Sequence, residues 1–258
     1  INNPTRTRRI QRCNTQFVDD CDGLTSAPHY VQDQESITME RLRADAQRWN
    51  NLNNIPGQTI AFQKTKWQIL AWEVLKGDLH IKYTTDHTLV LEDNKGGVAL
   101  IEFLAPDQPN KGLGYRLCPD GNQGPHFEAL YESVAELCSA ISGAQLSERE
   151  ARQALWQRLL PKLDYGLHAS YFSKKQCKQM DCLINGTFLP QMRLNRNTPR
   201  AVVHGPLRYG GLELSDTRTR QTQLHVKDMI KHLRWDKTVG GDILTALDNI
   251  QLASGFVT

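Results

Sequence analysis

The sequence predicts an α+β fold, with strands in its first part and helices in its second. Three observations predict it. Between residues 59 and 118, short alternating apolar runs are separated by turn signals such as Lys76-Gly77-Asp78 and Asp93-Asn94-Lys95-Gly96-Gly97. From Phe127 to Ile141, apolar residues return with a period of about 3.6. The change of character falls at the turn Pro119-Asp120-Gly121-Asn122 and divides the chain into residues 1–122 and 123–258.

Residues 8–25 read as a β-hairpin. Arg9 to Thr15 lacks helical periodicity, Phe17-Val18-Asp19-Asp20 carries two adjacent carboxylates to the tip, and Cys21-Asp22-Gly23 reads as a turn into a return strand. Pro28 cannot continue a ladder and ends it. Residues 35–53 read as a helix with Leu42, Ala46, Trp49 and Asn53 on one face, stopped by Asn53-Asn54-Ile55-Pro56-Gly57. Thr59 to Val74 reads as extended chain. Within it Ile60 and Phe62 alternate with their neighbours, and Trp67, Ile69 and Leu70-Ala71-Trp72 form a buried strand. Leu79–Tyr83 and Thr88–Glu92 are alternating strands, and Val98 to Leu104 pairs back across the glycine-rich turn. Residues 66–118 therefore read as an antiparallel meander, broken by Pro106, Pro109 and Asn110 ahead of Gly112-Leu113-Gly114-Tyr115-Arg116-Leu117.

Past residue 122, Phe127, Leu130, Tyr131, Val134, Leu137, Cys138 and Ile141 form one helical stripe that Gly143 ends. Ser147-Glu148-Arg149-Glu150 is a capping-box pattern. It opens a helix through Leu155, Leu159 and Leu160, which Pro161 is expected to close. Ser173 caps a third helix with Cys177, Met180 and Ile184 inward. Residues 193–216 read as irregular, with Tyr209-Gly210-Gly211-Leu212 as a turn. Val226, Met229, Ile230 and Leu233 mark a fourth helix, and Ile243, Leu244, Leu247 and Ile250 a fifth.

At 258 residues, 39% hydrophobic and 23% charged, the chain suits a globular protein with an ordinary core. It has no run of ~18 apolar residues that would make a transmembrane helix, and no signal-peptide core at Ile1-Asn2-Asn3-Pro4. A start at Ile rather than Met reads as a piece of a longer reading frame. The six cysteines form no CxxC pair, which argues against zinc, and reduced thiols in an intracellular setting are expected. Net charge is only +3, but its distribution is uneven. Arg6, Arg8, Arg9 and Arg12 form one acid-free run, and Arg193, Arg196, Arg200 and Arg208 another. Such runs can follow a phosphate backbone, or simply form a solvated face.

Asp19 and Asp20 are the most informative pair. Like charges side by side repel, and divalent ions make such a pair favourable. Two Mg²⁺ ions roughly 3.5–4 Å apart, held by carboxylates, are the shared device of nucleotidyl-transfer enzymes. A solvated Asp-Asp turn is the plain alternative. Phe17-Val18-Asp19-Asp20 resembles the aromatic-x-Asp-Asp signature of reverse transcriptases. In order there follow Trp49-Asn50-Asn51-Leu52, Pro56-Gly57-Gln58-Thr59-Ile60, Lys64 and Leu113-Gly114-Tyr115. Over nearly its whole length the chain is similar to the reverse transcriptases of non-LTR-type mobile elements.

The resemblance implies that residues 1–122 are the C-terminal part of a polymerase palm and residues 123–258 a helical thumb and its extension. It assigns Asp19 as the stronger and Asp20 as the supporting ligand of Mg²⁺ or Mn²⁺. Lys64 takes the place of a lysine that protonates or neutralises the departing pyrophosphate, with Lys66 as a nearby rival. Here Pro56-Gly57-Gln58 departs from the family's Ser-Gly-Gly. Leu113, Gly114 and Tyr115 correspond to the primer grip, and Arg193, Arg196, Arg200 and Arg208 face the phosphates of a template–primer duplex. The partners implied are an RNA template, a DNA primer and, in the complete enzyme, a dNTP. The implied destination is nuclear.

The family also uses a third carboxylate on an upstream strand, and no acid precedes Asp19 here. The chain by itself is therefore expected not to extend a primer. Trp49, Trp67 and Trp72 read as core rather than as base-stacking platforms. The alternative function is a non-catalytic nucleic-acid-binding module derived from a decayed mobile element. Other enzyme alternatives are group II intron-type and telomerase-like polymerases, and a scaffold with an accidental Asp-Asp turn is a third class.

Overall fold

The computed structural model describes residues 14–17, 20–23, 25–26, 33–55, 60–92, 97–112, 114–235 and 237–255. They divide into two units, within Gln11–Asn122 and Gln123–Thr258. Each has its own hydrophobic cluster. The architecture is α+β, with small sheets in the first unit and helices dominating the second. Among the described residues, no helix is long and apolar enough to cross a membrane.

In the first unit, β1 (Asn14–Phe17) and β2 (Asp20–Gly23) form an antiparallel hairpin with Phe17 opposite Asp20. Asp22 pairs with Thr15 inside the ladder, so it is a strand residue and not part of the turn expected from Cys21-Asp22-Gly23. Helix α1 (Gln34–Asn54) starts at Asp33, whose carboxylate accepts from the Ser36 N–H at 3.1 Å. Met39 is buried, and Leu42 and Ala46 pack beside it. One turn further, Asn50 is also buried, and its amide donates to the Glu92 carbonyl at 2.8 Å. Gln47 accepts from the Glu92 N–H at 2.9 Å. These amides satisfy backbone groups at a strand end, so burying them beside the apolar stripe carries little penalty.

The expected meander is replaced by separate sheets. Strands β3 (Lys66–Trp67), β6 (Leu89–Glu92) and β7 (Val98–Phe103) form one sheet in the order β3-β7-β6, with β3 parallel to β7. Strands β4 (Ala71–Leu75) and β5 (Asp78–Lys82) form a hairpin of their own, as do β8 (Asn110–Gly112) and β9 (Tyr115–Leu117). Residues 60–65 are turned rather than extended: the Phe62 N–H reaches the Ile60 carbonyl at 3.0 Å and the Lys64 N–H the Ala61 carbonyl at 2.8 Å. Only Trp67 and Ile69 of the expected buried strand enter the core, which they share with Met39, Leu89, Leu91 and Ile101. Trp72 is 55% exposed on the β4–β5 hairpin and is not a core residue. That hairpin turns at Lys76 (φ 54°) and Gly77 (φ 92°), the paired positive φ values that match strand twist.

In the second unit, α2 (Gly124–Gly143) buries Leu130, Val134, Cys138 and Ile141, the stripe its periodicity predicts. Helix α3 (Glu148–Ala154) opens with the Ser147–Glu150 capping box. It does not stop at Pro161. A π turn, Leu155–Leu159, leads directly into α4 (Leu160–His168), and the Leu160 N–H reaches the Leu155 carbonyl. Proline lacks a donor and collides with the carbonyl one α-turn back; a widened turn relieves both problems and lets the helix continue. Helix α5 (Lys174–Gln191) has the predicted Ser173–Gln176 capping box and buries Cys177, Met180, Ile184 and Phe188.

The last elements are α6 (Arg200–His204), a 3₁₀ turn (Leu207–Tyr209), α7 (Thr217–Trp235) and α8 (Lys237–Ser254). The residues that bury α7 are polar. Gln221 is 1% exposed and accepts from the Phe172 N–H at 2.8 Å, while Arg220 forms a bidentate pair with Asp164 of α4. The apolar stripe that marks α7 in the sequence is less covered, with Val226 45% and Ile230 41% exposed.

Candidate functional site

The hairpin register places Asp20 at the first position of β2, directly opposite Phe17. Asp19 lies outside the described residues. As a donor set the two carboxylates fit a hard divalent cation in kind, because Mg²⁺ takes oxygen ligands and keeps several waters. Among the described residues no group of three His, Cys, Asp or Glu side chains is placed to hold a metal ion.

Lys64 is exposed in the turn of residues 62–64. Its sequence rival Lys66 is committed elsewhere. It stands opposite Glu102 in the parallel β3–β7 pair and forms an ion pair with it. Leu113 lies outside the described residues. Gly114 sits at the turn of the β8–β9 hairpin with φ 87°, a conformation glycine adopts without steric cost. Tyr115 opens β9, opposite Gly112. Gly114 and Tyr115 are thus a turn residue and a strand start.

Arg193, Arg196, Arg200 and Arg208 belong to the second unit and are all exposed. The segment that carries them, expected to be irregular, contains the short helix α6 and the 3₁₀ turn and is closely built. Helix α5 ends in a Schellman arrangement: the Leu194 N–H reaches the Leu189 carbonyl at 2.8 Å and the Arg193 N–H the Pro190 carbonyl at 2.9 Å. The left-handed residue of that cap is Arg193, with φ 59°, where glycine is usual. The Asn195 side chain then accepts from the Asn197 N–H at 2.8 Å, and its carbonyl accepts from the Thr198 hydroxyl at 2.6 Å. Arg200 is the first residue of α6, an end of the helix where a cation opposes the dipole.

Beyond α6 the chain doubles back on itself. The N–H groups of Leu212, Glu213 and Leu214 reach the carbonyls of Val202, Gly205 and Val203 at 2.9, 2.8 and 3.0 Å. Val203, Leu212 and Leu214 are buried and anchor both arms in the core. Gly211 lies so close to Gly205 that a Cβ there would fall 2.1 Å from the Gly205 carbonyl oxygen. At the end of this loop Arg208 lies over the ring of Tyr209, 4.7 Å from its centroid. An acid-free row of exposed guanidinium groups on a hydrogen-bonded scaffold can hold polyanions in a defined register. The sequence identifies the row by composition. It does not identify the Arg208–Tyr209 pair, because Tyr209 reads only as the start of a turn.

Nearby, Asp181 accepts from both the backbone N–H and the hydroxyl of Thr217, at 2.8 and 2.6 Å, and so caps α7 from the side of α5. Burial pushes its carboxyl up, the neighbouring Asp216 charge adds to the rise, and the bonds from Thr217 oppose it.

No family model and no solved structure matches the chain. It is 24% identical over 187 residues to the retrovirus-related Pol polyprotein from type-1 retrotransposable element R2 of Popillia japonica, covering 72% of this chain and 36% of that protein. The chain thus spans about a third of the length of the curated relative it matches. The similarity supports a mobile-element origin.

Proposed function

We propose that the chain is part of a retrotransposon's RNA-directed DNA polymerase, contributing the Asp19-Asp20 pair and a basic helical unit that grips the template–primer duplex. The observation that carries this reading is the exposed, acid-free row Arg193, Arg196 and Arg200 on built backbone, in a chain similar to a Pol polyprotein. Phosphate contacts supply most sequence-independent affinity for nucleic acid, and these guanidiniums are exposed, whereas Arg220 is held by Asp164. Asp19 and Asp20 would hold Mg²⁺ or Mn²⁺, which when bound supplies the charge neutralisation that nucleotidyl transfer needs. The exposed ammonium of Lys64 serves the departing pyrophosphate. In the Leu113, Gly114 and Tyr115 primer grip, the turn at Gly114 lets backbone approach the primer strand closely, since Gly114 adds no side chain there.

The test has two arms. Anisotropy of a labelled blunt RNA–DNA duplex is measured across a salt series for the chain and for the triple variant Arg193→Ala, Arg196→Ala, Arg200→Ala. Each phosphate contact lowers log affinity by about 0.7–0.9 per log unit of salt, so the variant's slope is expected to flatten by roughly two units. An unchanged slope in a folded variant refutes the duplex grip. In the second arm, Mn²⁺ broadening of amide resonances near the hairpin is compared in the chain and in Asp19→Asn. Equal broadening in both removes the metal assignment, and duplex binding without any Mn²⁺ effect selects the non-catalytic binding module.

A further inference from the structure

We propose that Arg208 and Tyr209 form a platform that stacks an unpaired nucleobase beside the duplex-binding arginines. The proposal rests on the nucleic-acid reading above and adds a distinct ligand to it. Tyr209 is 76% exposed, and Leu207, at the start of the same turn, 53%. This exposure is not the fraying of a loose loop. Three core residues hold the arms, backbone hydrogen bonds run between them, and the Tyr209 N–H itself reaches the Pro206 carbonyl at 3.0 Å. The turn closes through Gly210 at φ 80°, and Gly211 permits the near-contact with Gly205 that tightens the loop. The scaffold therefore presents an aromatic ring to solvent at a fixed position.

The chemistry of the presented group selects its ligand. A guanidinium over an aromatic face and a run of exposed arginines leading up to it form an electropositive aromatic surface. Single-stranded nucleic acid is recognised by this combination, a basic track for the backbone and a ring for the base. Bases inside a duplex offer no free face, so the ring requires a base that is unpaired, as in a template overhang. Stacking of this kind is tolerant of sequence, because every base has a π-face.

The experiment uses the whole chain with two RNA–DNA duplexes, one blunt and one with a short 5′ RNA overhang carrying 2-aminopurine at each unpaired position in turn. Anisotropy reads affinity and 2-aminopurine fluorescence reads stacking. The chain is expected to bind the overhang duplex more tightly than the blunt one and to quench one overhang position. Tyr209→Leu is expected to abolish the quench and lose about 5- to 150-fold in affinity for the overhang duplex. Tyr209→Phe keeps both, and neither variant changes blunt-duplex affinity. Tyr209→Leu that binds and quenches like the parent overturns the platform, as does Tyr209→Phe failing as badly as Tyr209→Leu. Loss of blunt-duplex binding with a retained Tyr209-dependent quench refutes the duplex grip and leaves the platform standing. Binding of neither duplex refutes both. Tyr209 is outside the core, so folding of the variants is checked simply by circular dichroism.

Discussion

Arg193 occupies a left-handed cap position at φ 59°, where a residue with a Cβ is strained by about 1–2 kcal/mol relative to glycine. Arg193→Gly is expected to raise unfolding stability by about 1 kcal/mol while reducing the salt slope of duplex binding by about 0.7–0.9, the share of one phosphate contact. Urea unfolding and the anisotropy series together check it; a stabilised variant with an unaltered slope would mean that Arg193 touches no phosphate. Asp181 gives a second test, with the sign set by its upward shift. A carboxyl whose folded pKa is raised contributes stability fully below its unfolded value and loses it as pH rises through the folded one. Asp181→Asn keeps an oxygen for the Thr217 N–H and hydroxyl but cannot ionise. The variant is expected to match the parent in acid and to exceed it at neutral pH. Urea midpoints at the two pH values decide it, and a variant less stable at neutral pH refutes the assignment.

The capping boxes of α3 and α5 are formed as their sequences predict, because a cap involves groups three residues apart and no distant partner. Ser173→Ala removes the acceptor for the Gln176 N–H and leaves Gln176 without its hydroxyl partner. It is expected to cost about 1 kcal/mol in thermal or urea unfolding; a cost near zero would show that the first turn of α5 is held by packing alone. The stretch after α3 behaves differently. Pro161 is a reliable local signal for a break, yet the π turn at Leu155–Leu159 carries the helix past it. Leu155, Leu159, Leu163 and Leu167 are then all buried on one side, and burial of that many leucines at about 1.5–3 kcal/mol each outweighs a distorted turn.

Each of the two units has its own core, so their large-to-small variants are expected to act separately. Phe188 is fully buried in the helical unit and Trp67 is 4% exposed in the other. Truncating either to alanine is expected to cost about 3–5 kcal/mol. Hydrogen exchange tells where the loss falls. Phe188→Ala is expected to lower amide protection in α2, α4 and α5, and Trp67→Ala in α1, β6 and β7. Protection lost equally in both units by either variant would show that they unfold as one.

Local signals alone determined the α+β class, the presence of α1, α2, α3, α5, α7 and α8 but not of α4 or α6, both capping boxes, the Lys76-Gly77 turn and the charge row from Arg193 to Arg208. Each depends on residues within a turn or two of one another, and those interactions act before the chain folds back on itself. The sequence also singled out the adjacent carboxylates Asp19 and Asp20 by residue type, without describing the geometry around them. The tertiary structure decided what depends on distant partners. It paired β3 parallel to β7 where a meander was expected, and it set Trp72 outside the core although its run is as apolar as that of Trp67. It buried Gln221 because the backbone of Phe172 satisfies its amide, while Val226 and Ile230 on the same helix remain half-exposed. It also left Tyr209 76% exposed, on a turn between arms that Val203, Leu212 and Leu214 anchor in the core and that approach closely at Gly205 and Gly211. Hydrophobicity and period describe what a residue can bury; the partners brought by the rest of the chain decide whether it does.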